Sequence, residues 1–176
     1  MVNLNKFFKG YVSKLDQSIS EISIKKLTAA STLLKNTIKK GRTIYVCGNG
    51  GSAAIANHYV CDFLKYFRQR TKYKPKIISL SNSIETITAI SNDMDYKDIF
   101  KYQLESVYRN GDILIIISSS GNSRNVKEVL NFTNKKKEIN KQLVGVWVHH
   151  LEGDKVVQTE DKFHVCKLIE EAKIDG

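Results

Sequence analysis

The chain has 176 residues, 28 Lys and Arg against 18 Asp and Glu, a net charge of +10, and 41% hydrophobic residues with a single proline. That length makes one domain, and an apolar share of 41% beside 26% charged residues excludes disorder, collagen and coiled coil. The longest apolar runs, such as Ile113 to Ile117, fall far below the ~18 residues that a membrane span requires.

The first ten residues, Met1 to Gly10, mix charge into each turn and contain neither an apolar signal core nor a small-residue cleavage site. They read as the start of a cytoplasmic protein. Cys47, Cys61 and Cys166 lack metal-knuckle spacing and cannot all pair within one chain, so reduced thiols are expected, with Cys47 in a strand core. The positive charge would suit a polyanion. The lysines are scattered, however, and their tight run Lys135 to Lys137 reads as a solvated helix end. Nucleic acid is therefore not the expected partner, whereas a phosphorylated small molecule would welcome the same charge.

In chain order, Leu4, Phe7, Phe8, Tyr11, Leu15 and Ile19, then Leu27, Leu33, Leu34 and Ile38, recur at steps of three and four, which predicts two leading helices. Gly41 after Lys39 and Lys40 supplies a left-handed helix end beside cations that complement the helix dipole. From there short β-branched runs alternate with helical periodicity: 43–47, 76–80, 112–117, 142–148 and 162–165. Near-continuous apolar strands alternating with helices predict an α/β fold, a doubly wound, mainly parallel sheet of five strands with helices on both faces. No linker or repeat divides the chain, so 1–176 is one domain, with helices over 1–40 and the α/β core over 41–176.

In such sheets ligands sit beyond the carboxyl ends of the strands, where strand order reverses. After the first strand comes Gly48-Asn49-Gly50-Gly51-Ser52. Its glycines permit a tight turn and close backbone approach, Ser52 is placed to cap the next helix, and the helix start offers N–H groups to an anion. A Gly-rich strand-to-helix turn is equally often structural. After the third strand comes Ser118-Ser119-Ser120-Gly121-Asn122-Ser123-Arg124-Asn125, a second set of hydroxyls and amides at a helix start, or an N-cap with a polar loop. Two such loops on one edge together suggest a sugar phosphate held by serines and amides. Between them Asn92-Asp93 stands in a polar break, either as a contact for sugar hydroxyls or as an Asx-capped turn. His58 and Asp62, four apart, share one helix face. Such a pair suits proton transfer or two ligands of a divalent metal such as zinc, and a surface ion pair is the plain alternative. His149, His150 and His164 are weaker candidates, and Trp147 with the tyrosines forms no stacking ladder.

Gly48-Asn-Gly-Gly-Ser52, His58 six residues on, Asn92-Asp93 and Ile117-Ser-Ser-Ser-Gly-Asn-Ser123 together resemble the sugar isomerase (SIS) domain, a flavodoxin-like fold, and within it the phosphoheptose isomerase branch. The resemblance covers nearly the whole chain. It implies interconversion of sedoheptulose 7-phosphate and D-glycero-D-manno-heptose 7-phosphate for bacterial surface heptose. By the same resemblance Asn49, Gly50, Gly51 and Ser52 form the first substrate loop; Ser118, Ser119, Ser120 and Ser123 bind phosphate; Asn92 and Asp93 contact the sugar. His58 matches a histidine that ligates zinc in some members. Asp62 stands where the family has its catalytic glutamate, one methylene longer. Members are homotetramers whose N-terminal helices build a central bundle and whose sites lie between subunits. Ala172 to Gly176 resembles the beginning of the family's last motif, of Arg-Ile-Gln-Glu-x-His type, with Asp175 for Gln and Gly176 for Glu. The closing helix and its histidine do not follow. The alternative expectation is accordingly a non-catalytic or truncated SIS module that binds a sugar phosphate or a protein, as a related branch bridges a replication initiator.

Overall fold

The computed structural model describes residues 3–140 and 144–148. The expected strand at 162–165, together with Cys166, His149, His150, His164 and residues 172–176, lies outside the described residues.

The chain opens with helices α1 (Leu4–Ser20) and α2 (Ile24–Lys39). Each begins on a capping side chain: the Asn3 carbonyl oxygen accepts from the Lys6 N–H, and the Ser23 hydroxyl from that of Lys26, satisfying one orphan donor per helix. Gly41 ends α2 at φ 64°. Strand β1 (Thr43–Gly48) then leads into α3 (Gly51–Asp62), a π turn (Phe63–Phe67) and the short α4 (Arg68–Arg70). After β2 (Lys76–Ser79) come α5 (Ile84–Asp93), a 3-10 turn (Tyr96–Asp98), α6 (Ile99–Val107), β3 (Ile113–Ile117), α7 (Arg124–Asn140) and β4 (Val144–Val148).

The strands form one sheet in the order β2-β1-β3-β4, and every pairing is parallel. Both faces are covered, which is why the strands read as unbroken apolar runs. On one face Tyr45, Cys47, Leu114 and Ile116 pack with Ile90, Phe100, Leu104, Val126 and Val129 from α5, α6 and α7. On the other, Ile44, Val46, Ile113, Ile115 and Ile117 pack with Ile38 of α2 and Ala56 of α3. Strand alternation thus sorts neighbouring residues into two separate cores. Burial of Cys47 pushes its thiol far above the usual range, because a thiolate there would be desolvated, while Cys61 is exposed.

Chain order explains the site's position. The connection from β1 runs outward to β2, and the next strand returns to the other side of β1, so the reversal lies between β1 and β3. Their register runs from Ile44 opposite Ile113 to Gly48 opposite Ile117. Both strands therefore deliver their following loops to one point on the carboxyl edge. At the opposite end, buried Asp112 fastens the same pair of strands: Oδ1 accepts from the Thr43 N–H at 2.8 Å and Oδ2 from the Arg109 N–H at 2.8 Å.

Every described side chain of α1 is exposed, including Phe7, Phe8, Tyr11 and Leu15. An apolar stripe of this extent is unusual on a surface left open to water.

Replacing Asp112 by Ala removes the acceptor of two backbone N–H groups, those of half-buried Thr43 and of Arg109. Urea denaturation should show a loss of about 2 kcal/mol, and an unchanged midpoint would show that the strand pair does not depend on this carboxylate.

Candidate active site

At the carboxyl edge, β1 ends where there is no space for a side chain. A Cβ on Gly48 would stand 2.7 Å from the Ile117 carbonyl oxygen and 2.8 Å from both the Ser52 Cβ and carbonyl carbon. Glycine here lets two strand ends and the start of α3 meet. The Gly48 backbone is held on its other side by Ser81, whose hydroxyl accepts from the Gly48 N–H at 3.1 Å and donates to the Gly48 carbonyl at 2.8 Å.

The chain then turns at Gly50, with φ 53° and ψ −122°, a conformation that disfavours any side chain. Gly50 itself occupies the N-cap position of α3 and no side chain caps the helix. Ser52 is therefore the second residue of α3 and not its cap, a correction to the sequence expectation; the positive-φ turn starts the helix earlier. The N–H groups of Ser52 and Ala53 bond back to Asn49 and Gly50 carbonyls. Those of Gly50 and Gly51 make no hydrogen bond among the described residues, so they remain orphan donors at a helix N-terminus.

The loop after β3 is organised by its own serines. The Ser118 hydroxyl accepts from the Gly121 N–H at 3.0 Å, and the Ser120 hydroxyl from the Asn122 N–H at 3.2 Å. Each hydroxyl that accepts in this way keeps its O–H to donate. Ser118 is buried, whereas Ser119, Ser120 and Ser123 are partly exposed at the loop surface. Gly121 takes φ 68° at the turn into α7.

A reciprocal amide pair joins the two loops. Asn49 Nδ2 donates to Asn125 Oδ1 at 2.8 Å, and Asn125 Nδ2 donates to Asn49 Oδ1 at 2.9 Å. Asn125 is 1% exposed and stands on the same stripe of α7 as Val129 and Phe132. A polar residue on a buried helical stripe is a readable sequence signal. No such pattern singles out Tyr96, whose hydroxyl donates to Asn49 Oδ1 at 3.1 Å.

The structure places the remaining candidates differently from the cradle. Asn92 and Asp93 form the last turn of α5 and not a polar break. Ile87 and Ile90 pack on the core and carry the helix through them, so the chain leaves helical geometry only at Met94. Asn92 Nδ2 donates to Asp93 Oδ1 at 2.8 Å. His58 and Asp62 do face each other, Nε2 to Oδ2 at 3.5 Å, with side chains 74% and 44% exposed. They lie far along α3, however. At 1.5 Å rise per residue, His58 is about 10 Å and Asp62 about 16 Å from the helix start at Gly51. The His58–Asp62 pair and the Gly48–Ser52 turn therefore lie at different points along α3. The π turn begins directly after Asp62, a feature frequent at functional sites.

Two donors do not make a zinc site, which takes at least three protein ligands, and among the described residues no group of three His, Cys, Asp or Glu side chains converges. The basic run that follows α3 lies away from the cradle. Lys65, Arg68, Arg70, Lys72, Lys74 and Lys76 are exposed and run to the start of β2, at the sheet's other edge. Arg124 opens α7 beside the serine loop.

The 3-10 turn that presents Tyr96 is capped by Asp95, which accepts from the Lys97 N–H at 2.8 Å and from Lys97 Nζ at 3.2 Å. The backbone N–H of Lys97, and next its ammonium, hold the Asp95 carboxyl below the usual carboxylate range.

A family model described as the SIS domain matches residues 7–158. The phosphoheptose isomerase of Campylobacter concisus is 36% identical over 109 residues, 62% of this chain and 57% of the relative. The probable phosphoheptose isomerase of Thermoplasma acidophilum is 35% identical over 120 residues, 68% of this chain and 65% of the relative. The chain thus spans somewhat more than half the length of the curated relatives it matches. Among solved structures, a phosphoheptose isomerase from Francisella tularensis superposes with a TM-score of 0.72 at 20% identity, covering 97% of this chain and all of the other. The phosphoheptose isomerase GmhA from Neisseria gonorrhoeae gives 0.69 at 23% identity, covering 97% and 96%. These likenesses establish the fold.

Gly48→Ala should destabilise the protein by about 1–3 kcal/mol, since the contacts around its Cβ are mostly backbone atoms that cannot step aside; a wild-type melting temperature would refute the close approach. An NMR titration should place the Asp95 midpoint below the ordinary aspartate range. Because the folded value is depressed, the stability it lends the turn is present above the ordinary range and is lost as pH falls through the lowered midpoint. Lys97→Ala should raise that midpoint only part of the way, as the backbone N–H remains.

Proposed function

This chain belongs to the SIS domain family, and from that premise we propose that it is a phosphoheptose isomerase, interconverting sedoheptulose 7-phosphate and D-glycero-D-manno-heptose 7-phosphate in the cytoplasm for surface heptose synthesis. The observation that carries the reading is the convergence of two loops at the strand-order reversal, joined through Asn49 and Asn125. The names of the relatives it matches support the same activity.

The phosphate sits at the carboxyl edge. Orphan N–H groups of Gly50 and Gly51, the helix dipoles of α3 and α7, and hydroxyls of Ser118, Ser119, Ser120 and Ser123 stabilise its charge without a cluster of cations. Ser52, Asn92 and Asp93 flank the sugar. Isomerisation removes a proton from C1 of the ketose, forms an enediol, and returns a proton to C2, leaving the aldehyde at C1. Asp62 is the base for the carbon-bound proton, and His58 moves the proton between the two oxygens. Asp is one methylene shorter than Glu, so the substrate must approach this helix more closely.

The distance between the cradle and Asp62 along α3 favours a site shared between subunits, with His58 and Asp62 of one copy facing the cradle of another. The exposed apolar stripe of α1 supports the same homotetramer, which would bury it. Zinc would need ligands beyond His58 and Asp62, and no step above uses it.

The test is to incubate the protein with sedoheptulose 7-phosphate in D2O and follow the anomeric proton of the aldoheptose by NMR. The wild type should form product and place deuterium at C2. Asp62→Asn should slow turnover by about 10²-fold or more. A wild-type rate equal to the uncatalysed background would overturn the isomerase, and tight binding without turnover would leave a sugar-phosphate-binding module in its place.

A further inference from the structure

We propose that Asn125 and Tyr96 are positioning residues that lock both loops into one unit through Asn49, fixing Asn49 as a donor, through its remaining amide N–H, to a substrate oxygen. This rests on reading the two loops as the phosphosugar cradle. A primary amide has two acceptor positions on oxygen and two N–H donors. Asn49 Oδ1 accepts from both Asn125 Nδ2 and the Tyr96 hydroxyl, at 2.9 and 3.1 Å, and its Nδ2 donates once, to Asn125 at 2.8 Å. Both oxygen positions are filled and one N–H remains. Rotating the amide by half a turn would set N–H against N–H and oxygen against oxygen, so the orientation is fixed. Asn49 can then bond a phosphate, carbonyl or hydroxyl oxygen of the substrate, but it cannot accept from a substrate hydroxyl.

Asn125 is itself fully engaged on oxygen, since Oδ1 also accepts from the Val126 N–H at 2.9 Å. Its burial on α7 makes it the anchor, and the loop after β1 hangs from it. Tyr96 brings a third segment into the same unit. It sits on the Asp95-capped turn, directly after Asn92 and Asp93, and that turn packs against both α5 and α7. Tyr96 is 53% exposed, so removing its hydroxyl leaves no buried group unpaired. A purely structural tyrosine at such a position would not need that hydroxyl.

Amide hydrogen exchange of the unliganded protein reads the coupling without any substrate. Asn49→Ala should speed exchange at Gly121 and Asn122, in the other loop, by about tenfold, while the amides of β1 and β3 keep their wild-type rates. Tyr96→Phe should move the same amides less, and it carries the comparison should Asn49→Ala fail to fold. Changes confined to residues 48–53 would overturn the proposal. With sedoheptulose 7-phosphate, Tyr96→Phe should raise KM about fivefold and leave kcat within about twofold, the signature of lost uniform binding. In an Asn49→Ala background it should change neither, because Tyr96 acts through Asn49; equal effects in both backgrounds would also overturn it. Coupled exchange in a protein that does not turn over this sugar would sink the isomerase reading and leave the lock standing. Turnover with uncoupled loops would do the reverse.

Discussion

The parallel pairing of β1 with β3 is the constraint on which the rest depends. These strands are adjacent in the sheet but separated in the chain by β2 and several helices, and their register ends with Gly48 opposite Ile117. Because both point the same way, the two glycine- and serine-bearing loops emerge side by side. Because Gly48 has no Cβ, the start of α3 closes to within van der Waals limits of the strand ends. Asp112 fastens one end of this pair, and at the other end Ser81 holds the Gly48 backbone of β1. Core packing on both faces holds the strands, so the loops that follow them can take conformations such as the positive φ of Gly50 and Gly121.

The two loops present oriented dipoles at the carboxyl edge. Amide N–H groups and hydroxyls there are fixed by local bonds such as Ser118 to Gly121 and Ser120 to Asn122, so an anion bound there would meet groups that need little reorganisation. Lysine and arginine side chains would have offered more charge and less direction. The basic residues from Lys65 to Lys76 instead lie exposed toward the amino edge of the sheet, where cations also discourage another strand from pairing with the edge strand β2.

Chemistry on carbon needs a base, and the candidate base lies about 16 Å along α3 from the start of that helix. Asp62 and His58 are exposed along α3, and α1 presents a stripe of Phe7, Phe8, Tyr11 and Leu15 to solvent. Assembly would answer both facts at once, since it covers apolar surface and can bring α3 of one copy toward the loops of another.

The sequence by itself determined the local elements and the chemical types at the site. Apolar runs bounded by glycine and serine identify β1 and β3 because both sheet faces are buried. The Gly48–Ser52 and Ser118–Ser123 loops are legible as tight turns at helix starts because glycine permits the backbone to turn and serine bonds to nearby N–H groups. The i, i+4 spacing of His58 and Asp62 fixes their mutual approach, since helix geometry alone does so. The strand expected at 162–165 lies outside the described residues. Only the tertiary structure decided which loops meet and which groups stay apart. Asn49 and Asn125 are 76 positions apart, and no periodicity relates them; their pairing follows from sheet order. Tyr96 reaches Asn49 because α5 runs through Asn92 and Asp93 and the chain turns only at Met94, which core packing of Ile90 dictates. The separation of Asp62 from the cradle follows from helix rise and the direction of α3, physical quantities that a motif's spacing does not carry.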